Sequence, residues 1–515
     1  MRGTRARYCL LLPTFVLALG LSSAGLFGQE TPPGYNTPIP DAILTPDQIQ
    51  TRIGVLDFFD GIPTAETAAR VYDNLDFMRG VETFLNGMPA ASLEAIRRGV
   101  VDLGADEAHE VVIFDRLMDS NPIFLTGNTS TVYALSFLDL QRDGPTVVEI
   151  PPGAGPGTVN DAFFRFVVDM GAPGPDRGAG GKYLILPPDY EGDPPDGYYT
   201  ARSTSWANWL ILRGFLVDNR PDAAAAMWQE GLRVYPLSMA SNPPEMDFIS
   251  GSERVFNTVH ANDFHFFEEL HEVIDREPIA MLDPELRGLF SSIGIQKGVD
   301  FTPDERMRRL LSEAVAVGNA TARSLMWYER DPTTFLYEGS YWKQGFLGGS
   351  YEYLRDDGMG GRNLDARVHF YYFATVNTPA MTMEVVGAGS QYAWGYLDQS
   401  GNYLDGGNTY KINLPSGLPT ERFVSLVAYD PQTRSELQTG QPLPSKNTSR
   451  DDLVENADGS IDIYFGPVAP DGFEANWIQT LPGKGWFSLL RIYSPTQAWF
   501  DKTWRPGDIE LLPGR

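Results

Sequence analysis

The sequence has almost no cysteine: Cys9 is the single one among 515 residues. Disulfide frameworks, iron–sulfur clusters and cysteine catalysis all need thiols in the folded part of the chain. Cys9 lies in a leader-like segment, so we expect a mature protein without thiols. A chain of this length exceeds the size at which one hydrophobic core keeps growing, so the sequence predicts several domains stabilised by their cores alone.

Positive charge is also scarce, with 40 Lys and Arg against 67 Asp and Glu and a formal net charge of −27. An acidic surface repels nucleic-acid phosphates and anionic lipid headgroups. We therefore expect no nucleic-acid partner and no stable membrane span once the leader is removed. A homo-oligomer is left open.

The apolar run of the leader, CLLLPTFVLALGL, follows Arg2, Arg5 and Arg7 and precedes the small residues SSAG. This order is typical of a secretory signal peptide, and the run is short for a membrane-spanning helix of about 20 residues. The sequence predicts a Sec-type signal peptide over residues 1–28 and a periplasmic or secreted bacterial protein.

Familiar catalytic motifs are missing as well. The sequence contains no Gly-x-Ser-x-Gly elbow and no phosphate-cradling Gly-x-x-x-x-Gly-Lys loop. Whether the protein is an enzyme is therefore undecided by motif.

Histidine is rare, yet three of the five histidines fall in HANDFHFFEELHEVID, which begins at residue 260. On a helix His265, Glu269 and Glu272 would share a face and could bind one metal ion. A solvated acidic helix face explains the same residues, and the spacing lacks the histidine pair of zinc proteases. We expect no cofactor, with a divalent metal at these three residues as the alternative.

Hydrophobic periodicity changes several times along the chain and predicts a mainly β protein with a substantial helical part. Short β-branched or aromatic runs bounded by turn residues indicate sandwiches, and amphipathic runs indicate helices. The predicted segments are a flexible lead-in at 29–44, a helical N-terminal segment at 45–122, a β sandwich at 123–240, a helical region at 241–340 and a jelly-roll sandwich at 341–515.

Tryptophan clusters near the C-terminus, where Trp477, Trp486, Trp499 and Trp504 accompany several cations. Aromatic faces next to cations suit a sugar, an aromatic compound or a carboxylate, but tryptophans also fill sandwich cores. Alternation along WFSLLRIY places Trp486 on one face of a strand and Phe487, Leu489 and Arg491 on the other. Both interpretations stay open at this point.

Two long stretches carry a family resemblance. NADGSIDIYFGPVAPDGFEANWIQTLPGKGWFSLLRIYSPTQAWFDKTWRPGDIE resembles the C-terminal domain of unknown function 1214. FLTGNTSTVYALSFLDL, GGKYLILPPDY and GYYTARSTSWANWLILRGFLVD resemble its usual N-terminal partner, the domain of unknown function 1254, in the long subgroup of that family. The resemblance implies an immunoglobulin-like sandwich, a helical part and a jelly roll, and it implies no established reaction. Ser494 stands where relatives usually carry glycine.

The sequence predicts that a small organic or carbohydrate ligand binds in a cleft between the two β domains, and hydrolysis of that ligand is left open. Polar groups for the cleft are predicted from both sides: Asn128, Thr129, Tyr133 and Arg202 from the first domain, and Asn476, Trp477, Lys484 and Arg491 from the second. The alternatives are a metal-assisted hydrolase that uses the histidine-rich helix and a non-catalytic structural or interaction protein of the envelope.

Overall fold

A computed structural model describes Gly34 and residues 37–513 of the chain. The predicted signal peptide at 1–28 lies outside the described residues. The chain divides into two compact units, the first ending at Val71 and the second beginning at Tyr72. Among the described residues no helix is long and apolar enough to span a membrane.

The first unit contains a three-stranded antiparallel sheet of β1 (Gln48–Thr51), β2 (Gly54–Phe59) and β3 (Ile62–Pro63). Gly54 adopts a φ of +107° in the turn between β1 and β2, a conformation that glycine adopts without a steric penalty. The helical prediction for 45–122 is therefore wrong over these strands. The short run GVLDFF forms a strand because it pairs with the segments just before and just after it, across two tight turns.

Eight α-helices occur in the described part of the chain. They are α1 (Ala65–Asp102), α2 (Leu140–Asp143), α3 (Asp222–Gly231), α4 (His265–Arg276), α5 (Pro284–Ser291), α6 (Glu305–Trp327), α7 (Leu364–Tyr371) and α8 (Gln497–Phe500). The side chains of Asp283 and Asp304 accept hydrogen bonds from backbone N–H groups in the first turns of α5 and α6. Helices α4 to α6 lie where the helical region 241–340 was predicted.

The first β sandwich consists of two sheets that enclose a core of residues such as Val132, Tyr183 and Leu210. The six-stranded sheet has the order β13 (Asp247–Ser250), β4 (Glu110–Ile113), β5 (Thr131–Asp139), β11 (Ala207–Phe215), β7 (Pro156–Asp161) and β8 (Phe166–Gly171). The four-stranded sheet has the order β10 (Tyr199–Arg202), β9 (Gly181–Leu186), β6 (Thr146–Ile150) and β12 (Arg233–Pro236).

The second β sandwich encloses a core that includes Trp486, Trp499 and Trp504, so three of the four clustered tryptophans are core residues. One sheet has the order β14 (Trp342–Lys343), β15 (Ser390–Gly395), β22 (Gly485–Pro495), β18 (Thr420–Tyr429) and β19 (Ser445–Asn447), with β16 (Leu404–Asp405) also paired to β22. The other has the order β21 (Trp477–Gln479), β20 (Ile461–Gly466), β17 (Tyr410–Leu414) and β23 (Glu510–Leu511).

The central strands of the two sandwiches share a third core with the helices. Trp209 and Ile211 of β11 and Phe487 and Leu489 of β22 belong to this shared core, whereas Trp486 lies in the second sandwich. The predicted alternation along WFSLLRIY is thus confirmed. Because side chains alternate along a strand, the odd-numbered residues further along β11 and β22 also turn away from their sandwich cores.

One part of the predicted jelly-roll segment 341–515 is a helix. The aromatic run RVHFYYFATV, residues 367–376, is typical of a strand, but α7 covers its first half. Asn363 caps α7 by accepting a hydrogen bond from the backbone N–H of Ala366 at 3.1 Å. Residues 366–371 are all buried, including the polar Arg367 and His369, so the alternation of polar and apolar residues in the sequence does not report which side chains are exposed. The fold is therefore a mixed α/β arrangement of several mostly antiparallel sheets.

Candidate functional site

A cavity of about 860 Å³ lies between the first and second β sandwiches, within the second compact unit. Strands β5, β7, β8 and β11 line one side, and β15 and β22 line the other. The segment 376–389, which leads from α7 towards β15, supplies a further part of the lining. The cavity volume is in the range of pockets that hold small organic molecules.

Arg213 of β11 is the central cation on the first-sandwich side. It lies opposite Tyr133 of β5 in the register, and its guanidinium stands 5.4 Å from the centre of the Tyr133 ring. The Arg213 guanidinium makes no hydrogen bond or ion pair with any residue in the described part of the chain. A half-buried arginine of this kind keeps five N–H donors free for a ligand.

Asn128 fixes the hydrogen-bonding state of Tyr133. Its side-chain oxygen accepts from the backbone N–H of Ser130 at 2.8 Å and from the hydroxyl of Thr131 at 3.1 Å, and its Nδ2 donates to the Tyr133 phenol oxygen. The phenol oxygen is thus used as an acceptor. Its own proton has no acceptor among the described residues and remains available to a ligand in the cavity.

Arg491 of β22 is the corresponding cation on the second-sandwich side and is only 5% exposed. Its Nη1 donates to the Tyr429 hydroxyl at 2.7 Å, and its Nη2 donates to the Thr126 carbonyl at 2.8 Å. These partners are neutral, and Nε has no partner within the described structure. Arg491 therefore ties the loop before β5 to the second sandwich and still keeps an uncompensated charge.

Glu436 is a buried carboxyl group on which the charge of Arg491 acts, yet the two side chains form no ion pair within the described structure. Glu436 is 2% exposed, and neither of its oxygens has a hydrogen-bond partner. Burial raises the pKa of Glu436 far above its usual range, and the attraction of Arg491 only partly opposes this rise. Burial thus favours the neutral form of this carboxyl.

Asp169 of β8 is the buried carboxyl that lines the cavity. The Thr378 hydroxyl lies 2.6 and 2.7 Å from its two oxygens, which links the segment 376–389 to the first sandwich. Burial raises the pKa of Asp169 to about 6, although hydrogen bonds from Thr378 and Thr158 and the charge of Arg213 act in the opposite direction. Its charge therefore changes in the mildly acidic pH range.

The apolar part of the cavity is aromatic. Phe373 and Trp394 pack with ring centroids 4.0 Å apart, and Phe370 and Leu489 complete this surface. Trp394 Nε1 has no hydrogen-bond partner within the described residues, so it is a further free donor.

Basic groups outnumber acidic ones around the cavity, although the chain as a whole is strongly acidic. The lining contains five basic side chains and two acidic ones. The basic residues are Arg177, Arg213, Arg422, Arg491 and Lys502. None of the five forms an ion pair with a carboxylate in the part of the chain that the structure describes, so the cavity has a local excess of positive charge.

Three of the residues predicted from the sequence, Asn128, Tyr133 and Arg491, line this cavity. The other five lie elsewhere and have structural partners. Thr129 contacts the Ser445 hydroxyl at 2.7 Å, and Arg202 donates to the Tyr190 carbonyl at 2.9 Å.

The remaining three belong to the second sandwich. Asn476 is fully buried and exchanges hydrogen bonds of 2.8 Å with the backbone of Val454. Trp477 donates to the Gly466 carbonyl at 2.8 Å, and Lys484 pairs with Asp430. The predicted face formed by Asn476, Trp477 and Lys484 does not open into the cavity.

The alternative metal set is divided among other partners. His265 pairs with Asp263 at 2.9 Å, Glu269 accepts from the Ala261 backbone at 3.0 Å, and Glu272 pairs with Arg98. No group of three or more His, Cys, Asp or Glu side chains among the described residues is arranged to hold a metal ion.

Two family models match the chain in the order that its sequence predicted. Residues 109–236 match DUF1254 and residues 389–497 match DUF1214, both described as proteins of unknown function. The chain thus contains a region similar to DUF1254 followed by a region similar to DUF1214. Arg213 lies in the first matched region and Arg491 in the second, so the cavity has one central cation from each. The segment 376–388 lies between the two matched regions.

The chain is similar in fold to a solved structure. A crystal structure of the VPA0106 protein from Vibrio parahaemolyticus aligns with 85% of this chain and 100% of its own, with a TM-score of 0.52 and 16% identity. A crystal structure of an uncharacterised protein from Burkholderia cenocepacia aligns with 86% of this chain and 96% of its own, with a TM-score of 0.38 and 11% identity. No curated protein matches the sequence.

Sequence reasoning missed Arg213, Asp169 and Thr378. Arg213 carried a usable signal, because an arginine that shares a strand face with Trp209 and Ile211 interrupts an apolar face. Asp169 and Thr378 carried none, because their contact joins residues that are 209 positions apart.

Proposed function

We propose that the protein binds a small organic ligand in the cavity between its two β sandwiches. The observation that carries the proposal is the pair Arg213 and Arg491, which come from different domains and line one cavity without a carboxylate partner. Leaving charged groups partly buried and unpaired is costly, so such groups are retained where they act on a ligand.

Three finer expectations from the sequence belong to the same proposal. The first sandwich is immunoglobulin-like and the second is a jelly roll, as the family resemblance implies. The leader at 1–28 directs export, so the protein acts in the periplasm or outside the cell. A ligand cavity in an exported protein would be accessible to small molecules outside the cytoplasm, and such a cavity suits their uptake or sensing.

A thermal-shift screen of the purified protein tests the proposal. The library contains sugars, aromatic and aliphatic acids, amides and alcohols. A ligand at 100 times its dissociation constant stabilises a protein by about 2.7 kcal/mol, which gives a shift of a few degrees at most in a large chain. We expect such a shift with at least one compound.

A blocked cavity gives the decisive control. Ser390 lines the cavity at the start of β15 and is half-buried, so Ser390→Trp would fill part of the space. We expect Ser390→Trp to remove the shift and Trp477→Ala, outside the cavity, to retain it. A ligand shift that survives Ser390→Trp, or a library without any shift, would reject the proposed site.

A further inference from the structure

We infer that the ligand of this cavity is an amphipathic organic anion, with a carboxylate-type head group at Arg213, Arg491 and Tyr133 and an apolar body against Phe370, Phe373 and Trp394. This inference rests on the proposed function and adds the chemical class of the ligand. A neutral sugar is the competing class.

Hydrogen-bond donors without partners are the first support. The Arg213 guanidinium, Arg491 Nε, the Tyr133 phenol proton and Trp394 Nε1 all belong to cavity-lining residues and lack acceptors within the described structure. A carboxylate offers only acceptors, and two of its oxygens match the fork of an arginine. A sugar hydroxyl can also accept from these groups, but it brings an O–H donor that needs its own acceptor, and it carries no negative charge to balance the arginines.

Charge is the second support. The nearest candidates for an internal counter-charge are weakened by their surroundings, because burial favours the neutral form of Glu436 and raises the pKa of Asp169. At pH 7.5 the Asp169 carboxylate offsets part of the Arg213 charge, but the five cations of the lining still outnumber its two acidic side chains. The lining therefore keeps a net positive charge that a negative charge from outside the chain would balance. Because the cavity is partly closed from water, that attraction is stronger than at an exposed surface.

Asp169 and Arg213 allow a test in which two substitutions should change the affinity for an anion in opposite directions. Its carboxylate lines the same cavity, and the charge of Arg213 acts on it. Removing the Asp169 charge should strengthen the binding of an anion, and removing the Arg213 charge should weaken it. A structural role for either residue predicts no such opposition.

The experiment compares matched probes by isothermal titration at pH 7.5: 2-naphthoate with 2-naphthamide, and decanoate with 1-decanol. We expect each anion to bind at least tenfold more tightly than its neutral partner. Loss of one charge-assisted hydrogen bond corresponds to about a tenfold to hundredfold weaker affinity, so Arg213→Met should weaken naphthoate binding by that factor. Asp169→Asn should strengthen it several-fold.

Arg309→Met is the matched control, because Arg309 is exposed on α6, does not line the cavity and makes no ion pair among the described residues. It should leave both affinities unchanged. Equal binding of anions and neutral analogues, with Arg213→Met unchanged, would overturn the anion inference and leave the proposed cavity intact. Absence of binding by all four probes would overturn the inference, while any neutral library compound sensitive to Ser390→Trp would still support the cavity.

Discussion

The cavity and the face of α4 both concentrate ionisable groups, but their charges are arranged in opposite ways. Around α4, Glu94 receives hydrogen bonds from Arg97 and Arg276 at 2.7 to 2.9 Å, and Arg98 pairs with Glu272. Around the cavity, five cations lack any carboxylate partner within the described residues. A crowd of charged residues in a sequence therefore indicates a site only when the fold leaves those charges unpaired.

The α4 network is consequently a structural feature, and Glu94 lies at its centre. Burial alone would raise the pKa of Glu94, but the hydrogen bonds and charges of Arg97 and Arg276 outweigh this and hold the pKa below its usual value. The neighbouring Glu277 accepts from the Trp206 backbone at 2.6 Å and thus connects the end of α4 to the first sandwich.

Replacing Glu94 should reduce the stability of the protein more than the other substitutions do, because it disrupts the paired charges around α4. Glu94→Gln removes the carboxylate partner of Arg97 and leaves Arg276 with Glu277 alone. We therefore expect a loss of about 3–5 kcal/mol in the free energy of unfolding. Urea denaturation measures it, with the more exposed Glu272→Gln as a control. Equal stabilities of the two variants would mean that the buried network carries no special weight.

Substitution of the two central cavity arginines, Arg213 and Arg491, should change the stability of the protein by different amounts. Arg491 holds three oxygens in place and is buried, so Arg491→Met should cost about 2–4 kcal/mol through the unsatisfied carbonyls and the lost bonds. Arg213 has no internal partner, so Arg213→Met should change stability by less than about 1 kcal/mol. Thermal unfolding of both variants measures the difference, and a large loss in Arg213→Met would assign that residue a structural role instead.

Asp169 should show the reverse sign, because its charge opposes folding. Its folded pKa of about 6 lies above the ordinary value of 3.8, so the native state holds the proton more tightly than the unfolded state. Stability from this group is full below pH 4 and is lost as the pH rises through 6. Asp169→Asn should therefore be more stable than the parent at pH 7 by about 1–3 kcal/mol, with the gain shrinking towards pH 4.

Melting temperatures of parent and Asp169→Asn between pH 4 and pH 8 measure this effect. A gain that stays constant with pH would show that a packing change, and not the buried charge, is responsible. The gain should grow as the pH rises above the unfolded pKa and level off above the folded pKa of Asp169, so the pH at which it levels off reports the folded value.

A structural feature could be predicted from the sequence where the contacts that determine it are local. The strands of both sandwiches, the capped helices α5 and α6 and the faces of β22 follow from local periodicity and caps. The location of Arg491 on the shared face of β22 was predictable for the same reason. The helical nature of α7 was not, because its polar residues Arg367 and His369 are buried together with the apolar ones and mark no solvent-facing side.

The sequence does not predict which charged residues form ion pairs with residues far away along the chain. Lys484 and Arg491 are equally basic and seven residues apart, yet Asp430 neutralises the first and no carboxylate neutralises the second. Ser494 shows a further limit: it lines the cavity with a φ of +54°, a left-handed conformation that favours glycine. That strain appears only in the folded backbone.

The smallest effect is expected at His265, where the metal alternative is tested. The side chain is exposed, and Asp263, through a hydrogen bond and its charge, raises the pKa of His265. Because neither residue supports a buried group, His265→Ala should leave the melting temperature unchanged. The measurement compares parent and variant with added zinc and with a chelator. A melting temperature that falls with chelator in the parent but not in His265→Ala would contradict the paired arrangement around α4 and restore the metal site that the histidine spacing suggested.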